Sequence, residues 1–324
     1  AGTSNSLMDI SADGQLLACS NRDSGTVTIV DRKDHRVLHE VHVGQKPEGV
    51  SFVGATTQLA VAVYAEDVVR ILDAKTGAIT ASIPVFDEPY GVVSDQSGNH
   101  LFVTLDYPGR IVIIDPDSQT VTSSHLVGQF VRGIALNADA TMAYVTEYYT
   151  AKAKAIDVAT GEVVDEWTGA STDNLLRQIA LNPLRPKAYV PHIRSRVTAV
   201  HGEGSIFPYV SVIDTDPGEG RRRRRIPMDA FLRNRVTANP WEVAITPDAR
   251  QLFVVFGGTD DMFACKVVDD DYRELGYRKL IQLGSNPRAV RVSPDGETVY
   301  VYNALDFNVV GYSTESLDPT VEVQ

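Results

Sequence analysis

Between Tyr189 and Asp214 the sequence YVPHIRSRVTAVHGEGSIFPYVSVID sets His192, Arg194, Arg196 and His201 inside a stretch that begins and ends like a pair of β-strands. Two imidazoles could ligate a metal or exchange protons, and with the arginines they could hold an anion. A catalytic zinc or copper centre takes three or more protein ligands and an oriented outer shell. The other histidines, His35, His39, His42, His100 and His125, lie elsewhere in the repeats, so no metal is expected at His192 and His201. No strained nucleophile elbow is visible either, which argues against a Ser–His–Asp triad. Arg233 and Arg235 follow in DAFLRNRV, shortly after the run Arg221 to Arg225. Guanidinium groups in this number suit an anion or an acidic protein surface.

The whole chain bounds these options. It has 324 residues and a formal net charge of −12, whereas a general nucleic-acid binder needs a basic footprint. Its apolar runs are too short to cross a bilayer as a helix. The opening AGTSNS has neither an initiator Met nor an apolar signal core, which reads as a mature exported protein or an excised domain. The acidic stretches GGTDDM and VVDDDYRE match no calcium-loop spacing and read as hydrated loops. Cys19 and Cys265 lack the spacing of a redox or zinc motif and are expected as two buried free thiols.

Internal repetition sets the frame in which these residues must sit. Segments beginning near 7, 49, 91, 133, 178, 242 and 289 share one order of features, with starts 42, 42, 42, 45, 64 and 47 residues apart. Each has a short β-branched run, a polar turn such as SADG or SPDGE, a second apolar run such as LFVTLD, and a third run ending in Asp, as in TVTIVD and RIVIID. A further alternating run follows a turn such as AKTG. Four short strands at a period in the forties predict an all-β, seven-bladed β-propeller of four-stranded antiparallel blades, one domain over residues 1–324. The long fifth unit carries its excess at about 192–207 and 229–240.

The units GVVSDQSGNHLFVTLDYPGRIVIID and AVRVSPDGETVYVYN resemble YVTN-type β-propeller repeats of bacterial and archaeal surface and periplasmic proteins. That resemblance spans essentially the whole chain and implies a periplasmic or extracellular location. It does not imply a function, because propellers host many.

With the strands of a blade lettered A to D from the channel outward, the B–C loops and the D–A crossovers emerge on one face. Just before each strand A stand Ser6, Glu48, Tyr90, Arg132, Arg177, Trp241 and Arg288; at the end of strand B come Asn21, Tyr64, Asp106, Glu147, His192, Asp260 and Asn303. Both sets should rim the central funnel. The two fifth-blade insertions rise from that same face, which is expected to bring Arg194, Arg196, His201, Arg233 and Arg235 beside Arg177 and Arg288 as a basic recognition cap. The run Arg221 to Arg225 is expected on an outermost strand, as solvated edge protection or as a docking patch for an acidic partner.

HIRSRVTAVHGEGSIFPYVSVID together with RRRRIPMDAFLRNRV is also similar to the propeller portion of bacterial proteins in which a propeller precedes a di-haem cytochrome c peroxidase-like domain. No CxxCH for haem attachment occurs in this chain, so that resemblance implies a haem-containing domain as a partner, with the basic cap as a candidate surface for it and the ending LDPTVEVQ as a truncation after the last strand. Two readings follow. One is an exported binding or scaffold domain that recognises an anionic ligand or a partner protein, with no cofactor of its own. The other is a hydrolase or lactonase whose funnel acids and His192 act as acid–base groups.

Overall fold

The aspartate that closes the third run of most units shows how the repeat becomes a blade. In the computed structural model, which describes residues 3–197, 204–216, 223–232, 235–268 and 273–324, Asp31, Asp73 and Asp115 each end a strand C and accept hydrogen bonds from backbone N–H groups two and three residues on. The carboxylate thereby closes the C–D turn, and hydrogen bonding holds each of the three groups below the ordinary carboxylate range, led by these backbone bonds at Asp31 and Asp115 and by the Thr57 hydroxyl at Asp73. In the seventh unit the Ser313 hydroxyl accepts the same two bonds, so the pattern survives without Asp.

Seven antiparallel sheets result, each built from consecutive chain. Blade 1 comprises Met8–Ile10, Leu16–Asn21, Thr26–Asp31 and Arg36–His42, and blade 7 comprises Pro287–Val292, Thr298–Asn303, Asn308–Ser313 and Pro319–Val323. The chain is a seven-bladed β-propeller. Strands A and B are buried on both faces while strand D alternates, so the inner strands are nearly continuous apolar runs. Seven apolar clusters fill the structure, each formed by two neighbouring blades; blades 2 and 3 share Val69, Ile71, Val92 and Val103, and blades 7 and 1 share Tyr300, Val309, Met8 and Leu17. Strands A of successive blades touch around the ring, including blade 1 with blade 7. Gly49 and Gly91 permit this close approach: a Cβ at either would lie 2.8 Å from the carbonyl oxygen of Tyr90 or Arg132 in the next blade.

Residues 3–6 lie across the channel. Asn5 exchanges two hydrogen bonds with Ile134 of blade 4, Gln178 of blade 5 donates to Ser4 Oγ at 3.2 Å, and Arg291 of blade 7 donates to the Ser4 carbonyl. Arg291 also lies 3.5 Å from Glu242 and 4.0 Å from Asp9 in the channel wall. Burial pushes Glu242 up to about 8, against the pull of Arg291. Beyond this strap, towards the A–B turns, the channel opens into a cavity of about 590 Å³ lined in part by Asp9, Asp95 and Arg291.

Blade 5 departs from the sequence reading. Within the stretch expected as a loop over 192–207, the described residues 192–197 and 204–207 are strand: Lys187–Val197 and Gly204–Asp214 pair along their whole length, from Lys187 with Asp214 to Val197 with Gly204. Its strand A is split into Asp173–Asn174 and Ala180–Leu181. In the second insertion, Asp229–Phe231 makes a single 3₁₀ turn, and Phe231 packs on Phe263 and Tyr277 of blade 6. Cys19 and Cys265 are free and buried, as expected, and burial raises both thiol pKa values.

Candidate functional site

The residues just before each strand A do converge on the channel mouth, and a backbone device repeated from blade to blade aims them there. Strands A of blades 2, 3, 4, 6 and 7 each slip register against strand B at Glu48, Tyr90, Arg132, Trp241 and Arg288 or beside them. Such a bulge turns a side chain out of the ladder. Two residues earlier the backbone takes a positive φ, at Lys46, Glu88, Phe130, Asn239 and Asn286, and at Leu175 ahead of Arg177 in blade 5. Left-handed backbone in residues other than glycine is uncommon and clusters at functional sites. The carbonyls of Lys46, Glu88, Phe130, Asn239 and Asn286 accept the N–H groups of Tyr64, Asp106, Tyr148, Gly257 and Ala304, which ties each crossover to a B–C loop. Ser20, Thr104 and Thr146 complete the frame: their hydroxyls donate to the carbonyls of Glu48, Arg132 and Leu176 in the following blade.

What this frame presents is a ladder of cations and rings. Arg132 lies 4.8 Å from the Tyr90 ring centre and 3.8 Å from that of Tyr148; Arg177 lies 5.3 Å from Tyr148 and 4.1 Å from Trp241; Arg288 lies 5.1 Å from Trp241. Tyr90, Arg132, Tyr148, Arg177, Trp241 and Arg288 thus alternate over blades 3 to 7. Each such contact contributes about 0.5–2 kcal/mol, more where water is excluded.

Their charges are not equally balanced. Arg132 donates from Nε and Nη2 to Asp106 Oδ2, at 3.0 and 2.6 Å, and is held above the ordinary arginine range by that carboxylate despite burial. Arg22 donates to Glu48 at 2.6 Å; burial still raises the Glu48 pKa. Arg177 is only 8% exposed, yet it makes no ion pair among the described residues. Its bonds go to Tyr148 Oη at 3.2 Å and Asn239 Oδ1 at 3.3 Å, both neutral, and its pKa is lowered by burial and by the like charge of Arg132. Arg288 donates to Asn286 Oδ1 at 2.6 Å and likewise has no described carboxylate in ion-pair reach. A guanidinium stays ionised under these conditions, so the mouth holds two cations whose direct contacts are rings and neutral oxygens, with the Glu48 carboxylate acting on Arg288 only from beyond ion-pair distance.

The other expected members of the cap are placed differently. His192 is fully buried within blade 5, its Nε2 2.8 Å from Ser211 Oγ and its Nδ1 3.2 Å from the Ile193 carbonyl, with the ring stacked on Tyr209. Burial, reinforced by the Arg223 charge, lowers its pKa to about 4, so it is a neutral interior side chain and does not line the funnel. Arg194 stands on the hairpin opposite Asp173 in register. Arg196 pairs through its backbone with Ser205. Arg235 reaches Asp261 at 3.1 Å and also Gln282, which fastens it to blade 6. His201 and Arg233 lie outside the described residues.

The arginine run requires a correction. Arg223–Pro227 is indeed the outermost strand of blade 5, but of its arginines only Arg225 keeps an exposed side chain, Arg223 and Arg224 being largely covered; Arg221 and Arg222 lie outside the described residues. Strand alternation sends Arg223 and Arg225 to Asp173, at 4.0 and 2.9 Å, and Arg224 to Glu274 of blade 6, at 3.7 Å. Arg223 also donates to the Ala151 and Trp167 carbonyls of blade 4 at 2.6 and 3.2 Å. The strand therefore clamps blade 5 to both neighbours.

Fold and site together define a class: a seven-bladed β-propeller whose crossover face closes on an arginine–aromatic funnel mouth. No protein-family model matches the sequence. Over 238 residues, 64% of this chain, it is 24% identical to hydrazine synthase subunit beta of Kuenenia stuttgartiensis. The match covers 53% of that protein, so the chain spans about half the length of the curated relative it matches. The structure aligns with a chain of Kuenenia stuttgartiensis hydrazine synthase at a TM-score of 0.86 and 22% identity, over 96% of this chain and 95% of that one. At that identity the likeness is one of fold.

Proposed function

We propose that this propeller is a binding and scaffold domain whose funnel mouth receives an anionic group. The single observation that carries the reading is Arg177, buried between Tyr148 and Trp241 with no described carboxylate to balance it. An anion reaching Arg177 and Arg288 would supply the missing countercharge in a site of low polarity, where charge-assisted hydrogen bonds are strongest. The likeness to a protein named as a synthase subunit supports a role within an assembly. Export, and association with a haem-containing domain, belong to this proposal as well. The hydrolase alternative finds no support in the placement of His192, whose ring nitrogens are engaged inside the blade.

Isothermal titration with acetate, oxalate and sulfate at low salt tests the reading. Saturable binding of at least one anion is expected, weakened tenfold or more by Arg177→Gln and by Arg288→Gln but unchanged by Arg250→Gln on the opposite face. Absence of binding by all three anions, or equal affinity in the funnel variants, would refute it.

A further inference from the structure

Exposed apolar side chains are distributed very unevenly between the two faces of the disc. Phe86, Tyr107, Phe130, Tyr149, Leu305 and Phe307 all occupy D–A crossovers or B–C loops, with exposures of 68%, 57%, 38%, 55%, 61% and 67%. The blade-5 hairpin adds Ile206 and Phe207 to that side. On the A–B and C–D turns of the opposite face, Leu184 is the one large apolar side chain that is exposed among the described residues. Core packing cannot account for this asymmetry, because the inter-blade clusters are filled from the strands. Scattered exposed apolar residues are ordinary; a set concentrated around a funnel is the pattern of an interaction surface.

The apolar tips also connect to the charged site. Phe130 packs edge-on against Tyr149 at 5.1 Å, Tyr149 against Tyr148 at 4.6 Å, and Tyr148 carries Arg132 and Arg177 over its ring. A continuous run of rings thus leads from solvent to the unbalanced guanidinium. At about 100 Å² exposed apiece, the eight side chains offer on the order of 800 Å², one partner's share of a standard protein–protein interface. A small anion would use the guanidinium and leave that apolar area wet.

We propose that the occupant of the crossover face is a partner protein that seats an apolar surface on these tips and places one carboxylate, an aspartate, glutamate or chain terminus, in the Arg177 and Arg288 funnel. This deepens the anion reading and rests on it. The arrangement is that of an interface hot spot, a desolvated charge pair surrounded by aromatic contacts that exclude water.

A displayed library of random linear peptides, selected on the intact chain, provides the probe. Enriched peptides are expected to carry an acidic residue flanked by apolar ones. Their affinity should fall tenfold or more in Arg177→Gln, and equally in the surface double variant Tyr149→Ser/Phe307→Ser, which leaves the blade cores untouched. Peptides without a carboxylate, or peptides indifferent to the tip variant, would overturn the proposal. Sedimentation showing that the face instead joins two copies of this chain, with association lost in the tip variant, would overturn it too. Acetate or oxalate binding that depends on Arg177 while peptide binding ignores the tips would leave the anion site standing and remove the partner. Loss of peptide binding in the tip variant with no response to Arg177→Gln would remove the anion site itself.

Discussion

Glu242 should make this propeller less stable as the solution becomes alkaline, a dependence that can be isolated by one substitution. Asp9 and Glu242 share the single guanidinium of Arg291 in a channel wall where all three are buried, so one carboxylate keeps its proton. Burial raises Glu242 from about 4.5 to about 8. The folded chain therefore binds one more proton than the unfolded chain between those limits. The associated stability is fully present below about pH 4.5 and is lost as pH rises through 8. The slope is at most about 1.4 kcal/mol per pH unit. His192 acts in the opposite sense: its pKa is depressed from 6.5 to about 4, so its contribution is present above 6.5 and lost as pH falls through 4. The two slopes cancel over much of the acidic range, and of the two only the Glu242 effect acts from about 6.5 to 8. There it removes about 1–2 kcal/mol, or roughly 2 °C in Tm for a chain of this length. Glu242→Gln should abolish that decline and uncover a rise in stability with pH between about 4 and 6.5. Urea unfolding across pH 5 to 8 measures both. A variant that loses stability between 6.5 and 8 as steeply as the parent would show that Glu242 is ionised in the folded chain, and the reasoning would fail.

The remaining predictions concern how the blades are held together. Asp173→Ala strips the countercharge from Arg223 and Arg225 and should cost about 3 kcal/mol in urea unfolding, near the lower end for breaking a buried pair because Arg225 is partly exposed. Gly91→Ala places a Cβ 2.8 Å from the Arg132 carbonyl and should destabilise by about 1–3 kcal/mol, whereas Gly276→Ala, whose Cβ would meet nothing closer than 3.4 Å, should be tolerated.

The blades were legible because their signals are local and repeated. Alternation in RIVIID, the Asp that closes its own turn, and the SPDG type of hairpin each specify structure within a few residues, and repetition aligns weak copies with strong ones. The same alignment exposed Arg132, Arg177, Trp241 and Arg288 as a ring. It did not expose Tyr148, one position beyond the expected Glu147, because its role depends on a crossover in its own blade and a guanidinium in the next. Nor did it separate solvated arginines from buried ones. Arg223 and Arg224 are adjacent, and whether each meets a carboxylate depends on Asp173 and Glu274, some 50 residues away in either direction. His192 opens the stretch that the repeat marks as an insertion, while period-two register with Val190 places it on an interior face that contains Ser211. The prolines at 47, 89, 240 and 287, one position ahead of the funnel residue, are the signal that could have revealed the bulges.

That every sheet is made of consecutive chain has a mechanical consequence. No blade borrows a strand from the far end of the sequence, so the junction of blades 7 and 1 is a contact between side chains, such as Tyr300 and Tyr302 against Leu17 and Cys19, with no shared backbone ladder to unzip. The ring behaves like a bracelet fastened by friction, and the strap of residues 3–6, bonded to blades 4, 5 and 7, is its safety chain. Under force or heat the disc should part at that clasp first, leaving seven intact sheets hinged along one thread.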